Sequence, residues 1–225
     1  MVICDDPAFL FIHVPKAAGT SVAGAFAHLD LVRAYKRMKD PARRVAWIAE
    51  KGIPEEVLTL PIHTPAVHLK SVLGEDRFKA FYRFAIVRNP WDMELSWYTY
   101  NAQTESAPHH QRVIGYADFN DYVRRHLAEH GSLLANGPQT KYVLDEDGVE
   151  LVDDVFRYEE VDQGFAKVLE RLSLNGIELD QFNQSYHVPW TEAYTAETFE
   201  LVRTIAQPDA DAFGYPSEAS AYGIS

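Results

Sequence analysis

The stretch Ala8-Phe-Leu-Phe-Ile-His-Val-Pro-Lys-Ala-Ala-Gly-Thr-Ser21 decides the fold class of this 225-residue chain. It opens with a nearly continuous apolar run, Ala8 to Val14, which is typical of a strand buried on both faces of a parallel sheet. Pro15 closes the run, because a proline cannot donate to a sheet ladder. A second run, Phe81 to Val87, also ends at a proline-containing turn, and predicted helices separate the two runs. Strands that alternate with helices predict an α/β fold with a mainly parallel sheet.

The remaining elements follow from apolar periodicity and from the residues that flank it. Helices are predicted over residues 22–29 (with Thr20 or Ser21 near the N-cap), 32–51, 91–100, 118–130, 163–174 and 195–206. A further short strand is predicted over residues 155–158, and a loop over residues 101–115. The length and the lack of an obvious linker predict a single domain over residues 1–225.

The loop after the first run carries the residues that a phosphate-like anion needs. Gly19 permits a close approach of the backbone, Thr20 and Ser21 add hydroxyl donors, and the helix that follows contributes its positive dipole end. Lys16 places an ammonium group beside the anion. The stretch is not a Walker A loop, because its lysine precedes the glycine and no GK[ST] triplet exists. The alternative is an ordinary strand-to-helix turn that carries a lysine.

A second motif, Phe84-Ala-Ile-Val-Arg-Asn-Pro-Trp-Asp-Met-Glu-Leu-Ser-Trp-Tyr98, includes the end of the second apolar run. Arg88 offers a planar fork of donors that suits a phosphate. Ser96 lies about two helical turns further on, where it could reach the same group. The alternative is a structural arginine that pairs with Asp92 or with another carboxylate.

The two motifs resemble those of the sulfotransferases that use 3′-phosphoadenosine 5′-phosphosulfate (PAPS), in the branch that includes carbohydrate sulfotransferases and many bacterial relatives. The first motif is similar to the 5′-phosphosulfate loop of that family, and the second to its 3′-phosphate motif. Weaker similarity extends over residues 9–215. The resemblance implies a P-loop NTPase-like three-layer α/β/α domain with a mainly parallel central sheet. It also implies PAPS as the sulfuryl donor and a reaction that needs no metal.

The resemblance assigns roles to individual residues. The implied ligands of the 5′-phosphosulfate are Lys16, Ala18, Gly19, Thr20 and Ser21. The implied ligands of the 3′-phosphate are Arg88 and Ser96. Lys16 is also expected to act in catalysis, by stabilising the charge that builds on the bridging oxygen of the leaving group.

The acceptor hydroxyl must lose a proton, and His63 is the predicted catalytic base. It stands in Pro61-Ile-His-Thr-Pro-Ala66, which resembles the family's His-x-x-Ala segment between the two motifs. The alternative is a loop histidine with no catalytic task. His68 is the second candidate base, although a role on a helix surface is expected for it. His13, inside the first run, is expected to be a core residue or to support the site.

Other residues are lesser candidates. His109 and His110 are adjacent, so their side chains would diverge in a helix or strand, and we expect them at the acceptor entrance and not in a metal site. Glu159 and His187 are expected to contribute to the structure of the site. Most aromatic residues, Trp91 among them, are expected in the core, with one or two stacked on adenine or on the acceptor.

The composition indicates which binding partners and which cellular compartment to expect. A formal net charge of −12 argues against general binding to nucleic acid or to an anionic membrane, which need a basic face, and it favours a neutral or cationic acceptor. Cys4 is the only cysteine, which excludes an intramolecular disulfide and favours a reducing cytoplasm. The first residues lack the basic segment of a signal peptide, and no apolar run is long enough to cross a membrane. A cytoplasmic protein without membrane insertion is therefore expected.

The predicted function is transfer of a sulfuryl group from PAPS to a hydroxyl or amine of a glycan, a glycolipid or a small-molecule acceptor. A P-loop small-molecule kinase or nucleotide hydrolase is the first alternative, and it would need the absent GK[ST] loop and a carboxylate for magnesium. A non-catalytic nucleotide-binding module is the second alternative. The loss of Lys16 or of a catalytic base would have favoured it.

Overall fold

The apolar runs form a sheet in the computed structural model, which describes residues 1–133, 137–179 and 188–225. Within these residues the sheet has four strands in the order β1-β2-β3-β4. They are β1 (Val2–Asp5), β2 (Ala8–Ile12), β3 (Tyr82–Val87) and β4 (Asp154–Arg157). The pairs β2–β3 and β3–β4 are parallel, whereas β1 pairs antiparallel with β2. The mainly parallel sheet confirms the predicted α/β class.

Helices occupy most of the chain between and after the strands. In chain order they are α1 (Gly19–Ala25), α2 (Leu31–Arg37), α3 (Pro41–Lys51), α4 (Glu55–Thr59), α5 (Ala66–Leu73), α6 (Glu75–Ala80), α7 (Pro90–Gln103), α8 (His110–Val113), α9 (Phe119–His130), α10 (Thr140–Val143), α11 (Val161–Arg171), α12 (Trp190–Ala193) and α13 (Ala196–Phe213). Short 3₁₀ helices lie at Tyr158–Glu160 and Ala219–Tyr222.

The chain divides into two compact units. The first consists of Met1–Val87 with Lys141–Phe182, and the second of Arg88–Thr140 with Asn183–Ser225. The first unit therefore contains the whole sheet together with α1 to α6 and α11. The second unit contains α7 to α9, α12 and α13. The loop after β2 lies in the first unit, and the residues directly after β3 open the second.

Aromatic side chains join the sheet of the first unit to its helices. Phe9 on β2 is fully buried, and its ring centroid lies 4.8 Å from that of Phe26 at the end of α1. Phe26 in turn lies 5.3 Å from Phe165 of α11. Gly164 lets α11 approach β4 closely, because a Cβ at this position would lie 2.8 Å from Phe156. Burial of these large rings supplies the main stabilisation of this layer.

The second unit is built around Trp91, near the start of α7. Its indole stacks on Phe199 of α13, with ring centroids 4.5 Å apart and an interplanar angle of 2°. The indole Nε1–H donates to the Phe199 carbonyl at 3.1 Å, and the Tyr194 hydroxyl donates to the Trp91 carbonyl at 2.9 Å. Trp91 is fully buried, as expected from the sequence for most aromatic residues.

Several predicted boundaries are wrong for identifiable reasons. The helix predicted over residues 32–51 is two helices, because Asp40 accepts a bond from the Ala42 amide at 2.9 Å and Pro41 starts a new helix at its first position. The loop predicted over residues 101–115 contains the end of α7 and the whole of α8. The last helix continues past residue 206 to Phe213, with Pro208 inside it. The sequence reading also missed β1.

Candidate functional site

The loop after β2 has an unusual backbone. A γ-turn-like bond from the Val14 amide to the Ile12 carbonyl, 3.2 Å long, turns the chain at His13, directly after the last residue of β2. Lys16 and Ala18 then adopt left-handed conformations, with φ of 60° and 55°. Each such residue costs about 1–2 kcal/mol when it is not glycine, and strain of this kind is concentrated at functional sites. Left-handed residues alternating with ordinary ones turn successive N–H groups toward one side, which is the geometry of an anion-binding nest.

The side chains of the loop differ in exposure. Lys16 is half-buried, Thr20 is exposed and Ser21 is buried. Helix α1 begins at Gly19 with Ala18 at the N-cap, so the predicted cap at Thr20 or Ser21 is wrong. Because both hydroxyls lie inside the first turn, neither occupies the position from which a side chain caps a helix.

Gly19 is required by a close contact and not by its backbone conformation. A Cβ at this position would lie 1.7 Å from Nε2 and 1.8 Å from Cδ2 of His13. The imidazole of His13 is only 7% exposed, so it cannot move aside into solvent. The His13 ring therefore packs directly against the backbone of the loop.

His63 contacts His13 as well. Its Nδ1 is 3.0 Å from the His13 carbonyl oxygen, and the two rings meet edge to face with centroids 4.5 Å apart. A carbonyl can only accept, so Nδ1 carries the proton and donates it to this bond. Nε2 then keeps its lone pair, as a general base requires. The Thr64 hydroxyl donates to the Pro61 carbonyl at 2.6 Å and shapes the turn that holds His63.

Both histidines are neutral near pH 7. Burial lowers the pKa of His63, and the bond to the His13 carbonyl opposes part of this effect. Burial also lowers the pKa of His13, to about 2. A neutral His63 with Nδ1 protonated is in the correct state to accept a proton. His68, the second candidate base, is exposed on α5, and its side chain makes no hydrogen bond in the described part of the chain.

Arg88 opens the second unit directly after β3. Its Nε donates to Asp92 Oδ2 at 2.6 Å, and both side chains are buried. The structural pairing considered as an alternative is therefore present. The bond to Asp92 engages the Nε–H, which is one of the five N–H donors of the guanidinium group. Ser96 follows Asp92 by one turn on the same face of α7 and is 1% exposed.

Asn89 and Pro90 explain why a helix starts after Arg88. The Asn89 side chain accepts from the Trp91 amide at 3.0 Å and from the Asp92 amide at 3.4 Å. Pro90 occupies the first helical position, where its missing N–H is not needed. The side-chain Nδ2 of Asn89 also donates to the Tyr222 hydroxyl at 3.0 Å. The motif thus fixes the start of α7 independently of any ligand.

The sequence reading missed a buried polar cluster around the Arg88 backbone. The Gln139 side chain accepts from the Arg88 amide at 2.9 Å and donates to the Arg88 carbonyl at 2.7 Å. Asp209 accepts from the backbone amides of Gln139 at 2.8 Å and Thr140 at 3.0 Å. No spacing pattern points to Gln139, which is 51 residues from Arg88. Asp209 could have been noticed in the sequence, because its carboxylate interrupts the apolar face of α13 beside the buried Ala210.

A model of the sulfotransferase family matches residues 1–215, which include parts of both compact units. The chain belongs to the sulfotransferase family. This confirms the family inferred from the two motifs, and it makes the protein a transferase of sulfuryl groups. Searches of curated proteins and of solved structures found no match.

The lesser candidates of this sulfotransferase are distributed over several elements. Glu159 is exposed in a 3₁₀ helix. His110 lies at the start of α8, with Nδ1 2.8 Å from the Asn101 carbonyl, and His109 precedes it. His187 lies outside the described residues. Among the residues that the structure describes, no group of side chains could hold a metal ion, and no helix is long and apolar enough to cross a membrane.

Proposed function

We propose that this sulfotransferase transfers the sulfuryl group of PAPS to a hydroxyl or amine of a glycan, a glycolipid or a small molecule, and releases adenosine 3′,5′-bisphosphate. One observation carries the proposal. The candidate base His63 is hydrogen-bonded to His13, and the ring of His13 packs against Gly19 in the candidate phosphosulfate loop. His13 therefore contacts both the candidate proton acceptor and the candidate anion-binding loop.

The loop suits a 5′-phosphosulfate in shape and in donors. The left-handed conformations of Lys16 and Ala18 turn the amides of the loop toward one side, and the absence of a side chain at Gly19 makes room for the His13 ring that packs against the loop. Thr20 and Ser21 add hydroxyl groups to the first turn of α1. Sulfate and phosphate oxygens are acceptors only, so a loop that presents donors is complementary to them.

His63 and Lys16 take complementary parts in the proposed transfer. PAPS supplies an activated sulfuryl group whose sulfur can be attacked in line. As the bond from the acceptor oxygen to sulfur forms and the bond from sulfur to the bridging oxygen breaks, Nε2 of His63 takes the proton of the acceptor. The Lys16 ammonium stabilises the negative charge that develops on the bridging oxygen. The acceptor proton ends on His63, and the electron pair of the broken bond stays with the leaving phosphate.

Arg88 and Ser96 are the proposed ligands of the 3′-phosphate. The Asp92 carboxylate holds Nε of Arg88 and so fixes the plane of the guanidinium group. A guanidinium held in one plane binds phosphate oxygens with less loss of side-chain entropy than a mobile one. Ser96 lies one helical turn beyond Asp92.

Calorimetric titration with adenosine 3′,5′-bisphosphate tests the proposal without knowledge of the acceptor. We expect binding without metal that is at least about tenfold tighter than the binding of AMP, because the 3′-phosphate adds charge-assisted hydrogen bonds. ADP, with and without magnesium, is the control. Preference for ADP with magnesium would instead favour a kinase, and absence of binding would refute the assignment of PAPS as donor.

A further inference from the structure

The backbone of Arg88 lies just beyond the sheet. The last paired residue of β3 is Val87, opposite Arg157 of β4. The amide and carbonyl of Arg88 are nevertheless both bonded, since the primary amide of Gln139 accepts from one at 2.9 Å and donates to the other at 2.7 Å. A single side chain thus supplies the pair of hydrogen bonds that a neighbouring strand would supply.

Gln139 is itself held by a carboxylate. Asp209 Oδ2 accepts from the Gln139 amide at 2.8 Å and lies 3.3 Å from Gln139 Nε2, while Oδ1 accepts from the Thr140 amide at 3.0 Å. Gln139 is fully buried and Asp209 is 2% exposed. These contacts define the orientation of the Gln139 side-chain amide, because Nε2 faces two acceptors and Oε1 faces a donor.

We infer that Gln139 and Asp209 are positioning residues for Arg88, and that they hold it in the geometry that binds the 3′-phosphate. This inference rests on the proposed function. Gln139 fixes both backbone polar groups of Arg88, and Asp92 fixes the Nε end of its side chain. A ligand that is fixed at both ends loses little freedom on binding an anion, so the cluster raises the affinity for that anion. The cluster therefore raises the affinity for the 3′-phosphate and does not change the affinity for the rest of the nucleotide.

The variant Gln139→Met tests the inference, because methionine has a similar length and volume but cannot form the hydrogen bonds. The measured quantity is the ratio of the dissociation constants of AMP and adenosine 3′,5′-bisphosphate, obtained by calorimetry. We expect the ratio to fall by about tenfold while the affinity for AMP is unchanged, since the hydrogen bonds to Arg88 are lost. In an Arg88→Ala background, Gln139→Met should lower the ratio no further. The matched control is Gln207→Met on α13, whose side chain bonds Asp211 and not Arg88.

A merely structural role predicts a different result. If Gln139→Met lowers the affinities for both nucleotides equally, or leaves both unchanged, the inference is wrong. Asp209→Asn is measured alongside, because it keeps the shape of the side chain but removes its charge and one of the two acceptor oxygens that face the Gln139 and Thr140 amides. It should lower the same ratio by about threefold, and an unchanged ratio in the folded variant would also overturn the inference. A wild-type protein that does not distinguish the two nucleotides would refute the proposed function itself.

Discussion

Replacing Gly19 with alanine perturbs the contact that joins the loop to the candidate base. The new methyl carbon would lie 1.7 Å from Nε2 and 1.8 Å from Cδ2 of His13. Non-bonded heavy atoms need a separation of about 3.5 Å, so the His13 ring or the loop must shift by roughly 2 Å. The ring is buried and its centroid lies 4.5 Å from that of His63, so a shift of this size also displaces His63.

Two effects of Gly19→Ala should be measurable. Overpacking of a buried site costs typically about 1–3 kcal/mol of stability, which for a chain of this length lowers the Tm by about 2–12 °C. A misplacement of a catalytic group by about 1 Å can lower turnover by about 100-fold. Thermal unfolding measures the first effect. Steady-state assays measure the second, and nitrogen-15 NMR of the imidazoles detects the displacement of His63 without an acceptor, because it reports whether Nδ1 of His63 still carries the proton.

Matched variants separate the contact with His13 from a general sensitivity of the loop. Ala18→Gly should keep the stability or raise it by about 1 kcal/mol, because it relieves a left-handed alanine next to Gly19. Ser173→Gly makes the same change of backbone type outside the loop. In the double variant His13→Ala with Gly19→Ala, removal of the ring makes room for the methyl group, so the two losses should not add. Wild-type stability and unchanged His63 signals in Gly19→Ala would refute the reasoning.

Three further predictions concern the catalytic groups and the stability. Lys16→Ala should lower turnover by about 10²–10³-fold in steady-state assays. The control Lys39→Ala, which changes an exposed lysine, should keep the turnover of the wild type. Wild-type turnover in Lys16→Ala would remove Lys16 from the mechanism. His63→Ala should abolish transfer without weakening adenosine 3′,5′-bisphosphate binding, and His68→Ala should stay active. Since burial lowers the pKa of His63 in the free enzyme, the acid limb of kcat/KM should lie below pH 6.5. Burial lowers the pKa of His126 from 6.5 to about 4, so its contribution to stability is complete above pH 6.5 and is lost as the pH falls toward 4. Between pH 7 and pH 5 the free energy of unfolding, measured with urea, should fall by about 1–2 kcal/mol more in the wild type than in His126→Phe. Equal decreases would contradict the lowered pKa of His126.

Local sequence rules predicted the sheet and most helices because those elements follow from apolar patterning. The two long apolar runs became β2 and β3, and their parallel pairing agrees with the alternation of strands and helices. Asn89 and Pro90 start α7 through a cap and a first-turn proline, both of which are visible in the sequence. The break before Pro41 uses the same two devices, with Asp40 as the cap. It was missed because the apolar and basic residues on either side suggested one continuous helix.

The candidate site could be predicted only where its residues are adjacent in sequence. Lys16 and Gly19 were identifiable from the loop, and Arg88 from its own motif. The link between His13 and His63 spans 50 residues, and it depends on a carbonyl that no side-chain pattern reveals. Gln139 is still harder to find, since its role consists of two bonds to the backbone of a distant residue. Contacts of this kind arise from the tertiary fold and leave no period or spacing in the chain.

The N-cap of α1 shows why an incorrect prediction can mark a functional segment. A hydroxyl cap is worth about 1 kcal/mol, so propensity alone favours Thr20 or Ser21 at that position. The chain instead places Ala18 there, in a left-handed conformation and without a side-chain cap, two residues after an equally unfavourable Lys16. Two left-handed residues and a missing side-chain cap therefore each lower the local stability of this short segment. Sequences normally agree with local rules except where function requires otherwise. The departures fall in the loop whose glycine contacts His13, so they support the same segment as the anion-binding part of the site.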